Sequence, residues 1–397
     1  MSKRVGGFIN QDGLNAPDPA TGVSGTAGNE QVDVSFTAPA DVGGAAVSGY
    51  RVTDTTGAHG AAGSASPITV TGLTNDTAYT FRVWAINAFG WSSPSGASGN
   101  VTPELPQIGL IAGGSGPTNV ISFIQIQTLG NATDFGDLTL ARDELSSMSN
   151  ATRAVFAGGG YPEYNIMDYN TFASAGNSAD FGDLTGNRRG ASQGSINNTT
   201  RGIVGGGYTG SGVAQDIQYI TFATTGNATT FGTIGGSFTG YQPASMSSST
   251  RGIFAGADFS GNNTQISYIT IASTGNTTSF GSLQVGFDGA SGSGNATRGL
   301  FAQGYNGSLI NDIQYITIAS TGSATDFGDC STSSRLASAC SNATRSVFNV
   351  GATGYPHASN IMEYVTIATT GNSVDFGDLT NSVGARTACS SSNGGTQ

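Results

Sequence analysis

The sequence predicts an all-β chain of two modules, a β-sandwich followed by a six-bladed β-propeller. Three observations lead there. Gly fills 62 of 397 positions while charged residues make up only 10%, a turn-rich composition that suits strands rather than helices. As far as about residue 104, short runs alternate apolar and polar residues between Gly, Pro, Asn and Asp turns, as half-buried strands do. Beyond that point Phe-Gly recurs six times, at Phe135-Gly136, Phe181-Gly182, Phe231-Gly232, Phe280-Gly281, Phe327-Gly328 and Phe376-Gly377. The spacing is 46 to 50 residues, the length of a four-stranded blade.

Residues 1–15 carry no alternation and are expected to form an extended N-terminal arm. Lys3, Arg4 and Phe8 are its candidates for docking onto a larger assembly by ordering on contact; a tag-like end without a docking role is the alternative. Residues 16–104 are expected to fold as the sandwich, with strands in Gln31–Thr37, Gly49–Thr53, Pro67–Val70 and Thr77–Ala85. The stretch Leu73-Thr74-Asn75-Asp76-Thr77-Ala78-Tyr79-Thr80-Phe81-Arg82-Val83 resembles the fibronectin type III segment that carries a tyrosine corner. The resemblance implies that the Tyr79 hydroxyl bonds to nearby backbone, and that Phe36 stands where that family usually has a core Trp. Residues 105–106, with the prolines around them, read as a short stiff linker.

The propeller is expected over 107–392, with 393–397 as a tail. Each unit runs an Arg-led apolar strand into a glycine step, then an aromatic strand, a Gly-Asn-like turn, a Phe-Gly strand and a strand of small residues. The aromatic recurs as Phe123, Tyr169, Tyr219, Tyr268, Tyr315 and Tyr364, which marks a packing position. The small-residue strands, such as 191–195 and 289–293, are expected innermost, where neighbouring blades crowd. The module opens without such a strand and closes with one to spare, so 385–390 is expected to complete the first blade and remove an exposed edge. The pairs Gly113-Gly114, Gly158-Gly159 and Gly206-Gly207 resemble the double-glycine step of kelch repeats, without the kelch Trp. The wording of the repeats, as in Thr250-Arg251-Gly252-Ile253-Phe254-Ala255-Gly256, resembles structural proteins of tailed phages, marine ones especially. That resemblance implies a virion protein of capsid, tail or fibre, partnered by other virion proteins through its arm and sandwich, and contacting host saccharide.

The candidate chemistry is sparse. Asp-Phe-Gly-Asp occurs at Asp134, Asp180, Asp326 and Asp375, but no nucleotide loop, paired Lys or catalytic loop accompanies it, and catalysis does not call for one such residue per blade. The repeat also lacks the order and the Trp of a sialidase Asp-box. Arg153, Arg201, Arg251, Arg298 and Arg345 share one strand position, held by Ile108 in the first unit, and are expected to bond to the adjacent blade or to the Asp of the Phe-Gly turn. His59 and His357 lie in different modules, which leaves no triad or metal set. Cys330, Cys340 and Cys389 occupy repeat packing positions and read as buried thiols. Asn-x-Thr sequences such as those at Asn131 and Asn295 arise from turn chemistry, and no glycosylation is expected.

One feature stands out from the repeat. An aromatic follows the glycine step in five units, at Tyr161, Tyr208, Phe259, Tyr305 and Tyr355. Two readings stand: each residue packs on its own loop, or together they form a stacking surface for glycans.

A net charge of −11 with 14 Lys plus Arg excludes a dense phosphate-neutralising patch, so neither nucleic acid nor an anionic membrane is an expected partner. No apolar run reaches the length of a signal peptide core or a membrane span. The expectation is a non-enzymatic protein without cofactor or metal, made in the host cytoplasm and assembled into a virion. The alternatives are a carbohydrate-active enzyme on a propeller, disfavoured by the lack of a carboxylate pair outside the repeat register, and a bacterial cell-surface adhesion protein.

Overall fold

The computed structural model describes residues 15–236, 242–257, 263–354 and 358–392. All of the expected arm except Asn15 lies outside the described residues, as do Lys3, Arg4, Phe8, Phe259, Tyr355, His357 and the tail 393–397. The chain divides into two compact units, Met1–Pro106 and Gln107–Gln397. Each is all-β among the described residues.

The first unit is a sandwich of two antiparallel sheets. Strands β1 (Thr21–Gly28), β2 (Gln31–Thr37) and β5 (Ile68–Thr71) form one. Strands β4 (Gly60–Gly63), β3 (Gly49–Asp54), β6 (Phe81–Asn87) and β7 (Gly90–Trp91) form the other, in that order. Alternation turns Val32, Val34 and Phe36 of β2 toward Tyr50 and Val52 of β3 and Phe81, Val83 and Ala85 of β6. The Phe36 and Tyr50 ring centroids lie 4.7 Å apart, so a phenyl group fills the inter-sheet space. Tyr79 makes the expected corner: the Thr74 N–H donates to its hydroxyl at 3.0 Å.

One device escaped the strand reading. Beyond β7 the chain runs Ser92-Ser93-Pro94-Ser95-Gly96-Ala97-Ser98, with a period of three rather than two. Ser92, Ser95 and Ser98 each donate their N–H to a carbonyl of β6, at Ala85, Val83 and Phe81, and each hydroxyl accepts the N–H of the same residue at 2.9 Å. A segment with a three-residue period thereby saturates the edge of β6 as a paired strand would.

The second unit holds six four-stranded antiparallel sheets. In every sheet the order is small-residue strand, Arg-position strand, aromatic strand, Phe-Gly strand. Ser146–Ser149, Arg153–Ala157, Tyr164–Thr171 and Ala179–Arg188 make the second sheet. From the second sheet onward the small-residue strand pairs with the strand that follows it in sequence, so Ser338–Ser341 belongs to the sixth sheet and not, as the repeat wording suggests, to the fifth. The first sheet takes Thr387–Ser390 as this strand, paired in register with Ile108–Ala112 through Cys389↔Leu110.

The small-residue strands touch one another in succession, from Thr387–Ser390 through the second to the sixth sheet and back to Thr387–Ser390. Ser147, Ser195, Ser245, Gly292, Ala339 and Ala388 occupy matching positions on these strands, and Ser149, Asn197, Ser247, Gly294, Ser341 and Ser390 follow two residues on. Only such small groups fit. A Cβ on Gly292 would lie 2.3 Å from the Ser245 carbonyl. The hydroxyls also tie neighbours together, Ser147 to Ala388 O, Ser149 to Ser390 O and Ser341 to Gly294 O. A void of about 10 Å³ remains between these strands, room for one water at most.

Outward from these strands, six apolar clusters fill the spaces between consecutive sheets. Met148, Val155 and Phe181 of the second sheet pack with Val204, Ile220 and Phe222 of the third. Ile111, Ile124 and Ile126 of the first pack with Val347, Met362 and Phe376 of the sixth. Cys330, Cys340 and Cys389 are buried in these clusters as free thiols, and burial pushes all three up, Cys340 to about 12.

Candidate functional site

Because every sheet is antiparallel, the connections of the second unit sort into two ends. At the turn end lie the Asn-x-Thr-Arg turns and the Gly-Asn turns. At the loop end lie the glycine-step loops and the crossovers that lead to the next sheet.

The turn end is built from the recurring motifs. Each Phe-Gly carbonyl accepts from the turn glycine of the following sheet, from Phe135 with Gly176 through to Phe376 with Gly130 of the first. The neighbouring turn Asn adds a bond to the backbone two residues past Phe, as Asn177 Oδ1 does to Asp137 N and Asn131 Oδ1 to Asp378 N. The glycine of Phe-Gly follows from this approach: a Cβ on Gly232 would lie 2.0 Å from the Gly275 carbonyl. The Phe-Gly pair is thus explained by contact between sheets.

The repeated arginines work alike. Arg153 donates to Phe222 O, Arg201 to Ile271 O and Ala272 O, Arg251 to Ile318 O and Ala319 O, Arg298 to Ile367 O, and Arg345 to Ile126 O and Gln127 O. Every acceptor lies in the next sheet, and for Arg345 that is the first. Each guanidinium also lies over the Tyr of its own sheet, between 4.4 Å for Arg298 and 5.0 Å for Arg153. Of the two expected partners, the adjacent sheet is the one used.

The loop end obeys the repeat most closely in its backbone. The crossover residues Glu144, Gly190, Gln242, Gly289, Leu336 and Ala385 all adopt φ between 52° and 64°. Glu144 N–H donates to Ala385 O, Gly190 to Glu144 O, Gln242 to Gly190 O, Leu336 to Gly289 O and Ala385 to Leu336 O. Four of these six are not glycine, and a left-handed conformation costs such residues about 1 kcal/mol or more each.

Some side chains at this end recur: Arg142 and Arg188 each donate to a glycine-step carbonyl, Gly158 O and Gly206 O, and pair with Asp168 and Asp216, and Arg189 and Arg335 each precede a crossover residue. Arg189 donates to Glu144 Oε2 at 3.0 Å and to Glu163 Oε1 at 3.1 Å. Its guanidinium lies 5.6 Å from the Tyr161 ring and 5.5 Å from the Tyr208 ring. Backbone bonds in both directions between Arg189 and Tyr208 fix the second of these rings. Across the end, Arg335 lies 5.2 Å from the Tyr305 ring. Burial raises the Glu144 carboxyl above its usual range; Arg189 opposes this without cancelling it, and Asp143, itself raised by burial, adds to it.

Of the five loop aromatics read from the sequence, Tyr161 and Tyr208 are brought together on Arg189, while Tyr305 stands apart on Arg335. Tyr208 and Tyr305 are only partly exposed, whereas Tyr161 is 83% exposed. Sequence reasoning missed Arg189, Glu144 and Glu163, because the two glutamates do not recur; an Arg set just before the crossover residue, at both Arg189 and Arg335, was the available signal. His59, in the other unit, has its Nδ1 2.8 Å from Asp54 Oδ2 and an edge-on contact with Tyr79, so it braces a hairpin. Among the described residues no group of three His, Cys, Asp or Glu is placed to hold a metal ion, and no helix is long and apolar enough to cross a membrane.

Residues 17–99 match the fibronectin type III domain family. Among solved structures, domains A168-A170 from titin are similar at 33% identity, over 22% of this chain and 32% of that one, with a TM-score of 0.21. The chain therefore spans about a third of that structure's length. No curated protein matches the chain.

Proposed function

We propose that the second unit is a six-bladed, kelch-like β-propeller closed by its C-terminal strand, and that the chain is a non-enzymatic binding protein that presents the loop end to a neutral saccharide. The order of the sheets, the succession of inner strands and the Arg345 bonds to the first sheet support the propeller. The observation that carries the binding role is Tyr161, an almost fully exposed ring beside an arginine already held by two carboxylates. An aromatic face in water suits the C–H face of a pyranose, and the polar atoms of Glu163 and Arg189 suit its hydroxyls. Asp143, Glu144 and Glu163 outnumber Arg189 and Arg335 here, which disfavours an acidic sugar at this end.

The setting we propose is the virion of a tailed phage, as a capsid decoration or a tail- or fibre-associated adhesin joined to other virion proteins through its arm and sandwich. The likeness of the repeat wording to phage structural proteins supports it. Immunogold labelling of purified particles tests the setting: label on particles is expected, and label confined to the host surface would contradict it. Screening the full chain against neutral bacterial oligosaccharides tests the binding role. A ligand whose affinity falls at least about tenfold in Tyr161→Ala is expected, and turnover of a ligand would favour the enzyme reading instead.

A further inference from the structure

The four-stranded sheet of the sandwich turns one face to the core and the other to solvent. Strand β3 sends Tyr50 and Val52 inward and Arg51 and Thr53 outward, while β6 sends Phe81, Val83 and Ala85 inward and Arg82, Trp84 and Ile86 outward. Register places Arg51 opposite Trp84, Thr53 opposite Arg82, and Ile86 opposite Trp91. Trp84 and Trp91 are the only tryptophans of the chain. Arg51 and Arg82 are the only Lys or Arg within residues 15–106, a span that holds seven Asp and Glu. None of those acids occupies an outward position on β3, β4, β6 or β7.

Neither guanidinium has an ion pair or hydrogen bond among the described residues, in contrast to the arginines of the repeats. Trp91 is 48% exposed. The adjoining positions on β4 are Gly60 and Ala62, too small to cover the face. What remains is an open groove of about 400 Å³ lined by Arg51, Thr53, Gly57, Trp84, Trp91 and Ser92, within the range of about 300–1,000 Å³ usual for small-ligand sites.

We infer that this face is a second binding site, and that it takes an anionic saccharide. The indoles offer flat apolar surface to the C–H face of a sugar ring, and the two free guanidinium groups match its carboxylate or sulfate with paired N–H donors. A cationic, aromatic face on a strongly acidic chain selects for opposite charge where the rest of the surface repels it. The site lies wholly within the first unit and does not depend on the reading given to the loop end.

Because both tryptophans sit here, selective tryptophan excitation reports this site. The test titrates the full chain with a carboxylated probe, oligogalacturonate, a sulfated one, a heparin-derived oligosaccharide, and a neutral one, maltotetraose. A saturable change in emission with at least one anionic probe, and none with maltotetraose, is expected. Arg51→Glu, with its thermal unfolding unchanged, should weaken that binding about tenfold or more; Arg82→Glu should do likewise, and Tyr161→Ala should leave it alone. No saturable change with either anionic probe would overturn the inference, as would an Arg51→Glu chain that binds like wild type.

Discussion

The two ends of the second unit share a backbone and differ in what their side chains do. At the turn end every motif recurs, and each recurrence is spent on the neighbouring sheet: Phe carbonyl to turn glycine, arginine to carbonyl, Asn to backbone N–H. At the loop end the crossovers recur in conformation, and Arg189 and Arg335 share one place before a crossover residue, but it is at Arg189 that two carboxylates, Glu144 and Glu163, and two rings, Tyr161 and Tyr208, gather on one guanidinium. Repetition in sequence therefore marks construction, and departure from it marks the place where binding is free to evolve.

The largest expected effect lies at the turn end. Gly232→Ala drives a Cβ to 2.0 Å from the Gly275 carbonyl and should cost about 3 kcal/mol, read by denaturant unfolding. A near-neutral result would break the link between Phe-Gly and the adjacent turn. Arg251→Met removes two bonds to the next sheet and should cost about 2 kcal/mol, a fall in melting temperature of about 5 °C.

Acid should separate the two ends in a further way. The Glu144 carboxyl is raised above its ordinary value of 4.5 by burial, so the native state holds a proton that the unfolded chain has released. Stability contributed by that proton is present below the unfolded value and is lost as pH climbs from about there through the raised native value. Calorimetric melting from mildly acid to neutral pH should therefore decline in wild type and decline less in Glu144→Gln. Equal slopes would place the titration elsewhere. The smallest effect is expected where the turn end itself breaks its pattern: Ile108→Arg should let the first sheet reach the second as the other five reach their neighbours, a gain of about 0.5–1 kcal/mol in denaturant unfolding.

The sequence made much of the fold legible because its signals were local or periodic. The Tyr79 corner, the six Phe-Gly strands and the C-terminal strand of the first sheet could each be read from residues near them or from their own repetition. The reason for the glycine in Phe-Gly could not, since its constraint is a carbonyl 40 or more residues away, at Gly176 for Gly136 and at Gly275 for Gly232. Ser92, Ser95 and Ser98 were missed because their period of three matches neither strand nor helix. At the candidate site only the tyrosines were visible. Arg189 stood beside Arg188 in the sequence, yet Arg188 is buried on Asp216 and Gly206 O as Arg142 is on Asp168 and Gly158 O, and only the register, which sets Arg188 level with Arg142 and Arg189 level with Arg335, distinguishes the structural arginine from the one that reaches Tyr161.

The division between ends is tested most directly by measuring saccharide affinity and melting temperature together for Tyr161→Ala and Arg251→Met. Tyr161→Ala should weaken binding of a neutral oligosaccharide about tenfold or more while stability stays within about 0.5 kcal/mol; Arg251→Met should lower the melting temperature and leave affinity unchanged. Affinity unchanged by Tyr161→Ala, or binding that fails in Arg251→Met while the chain remains folded, would contradict the account.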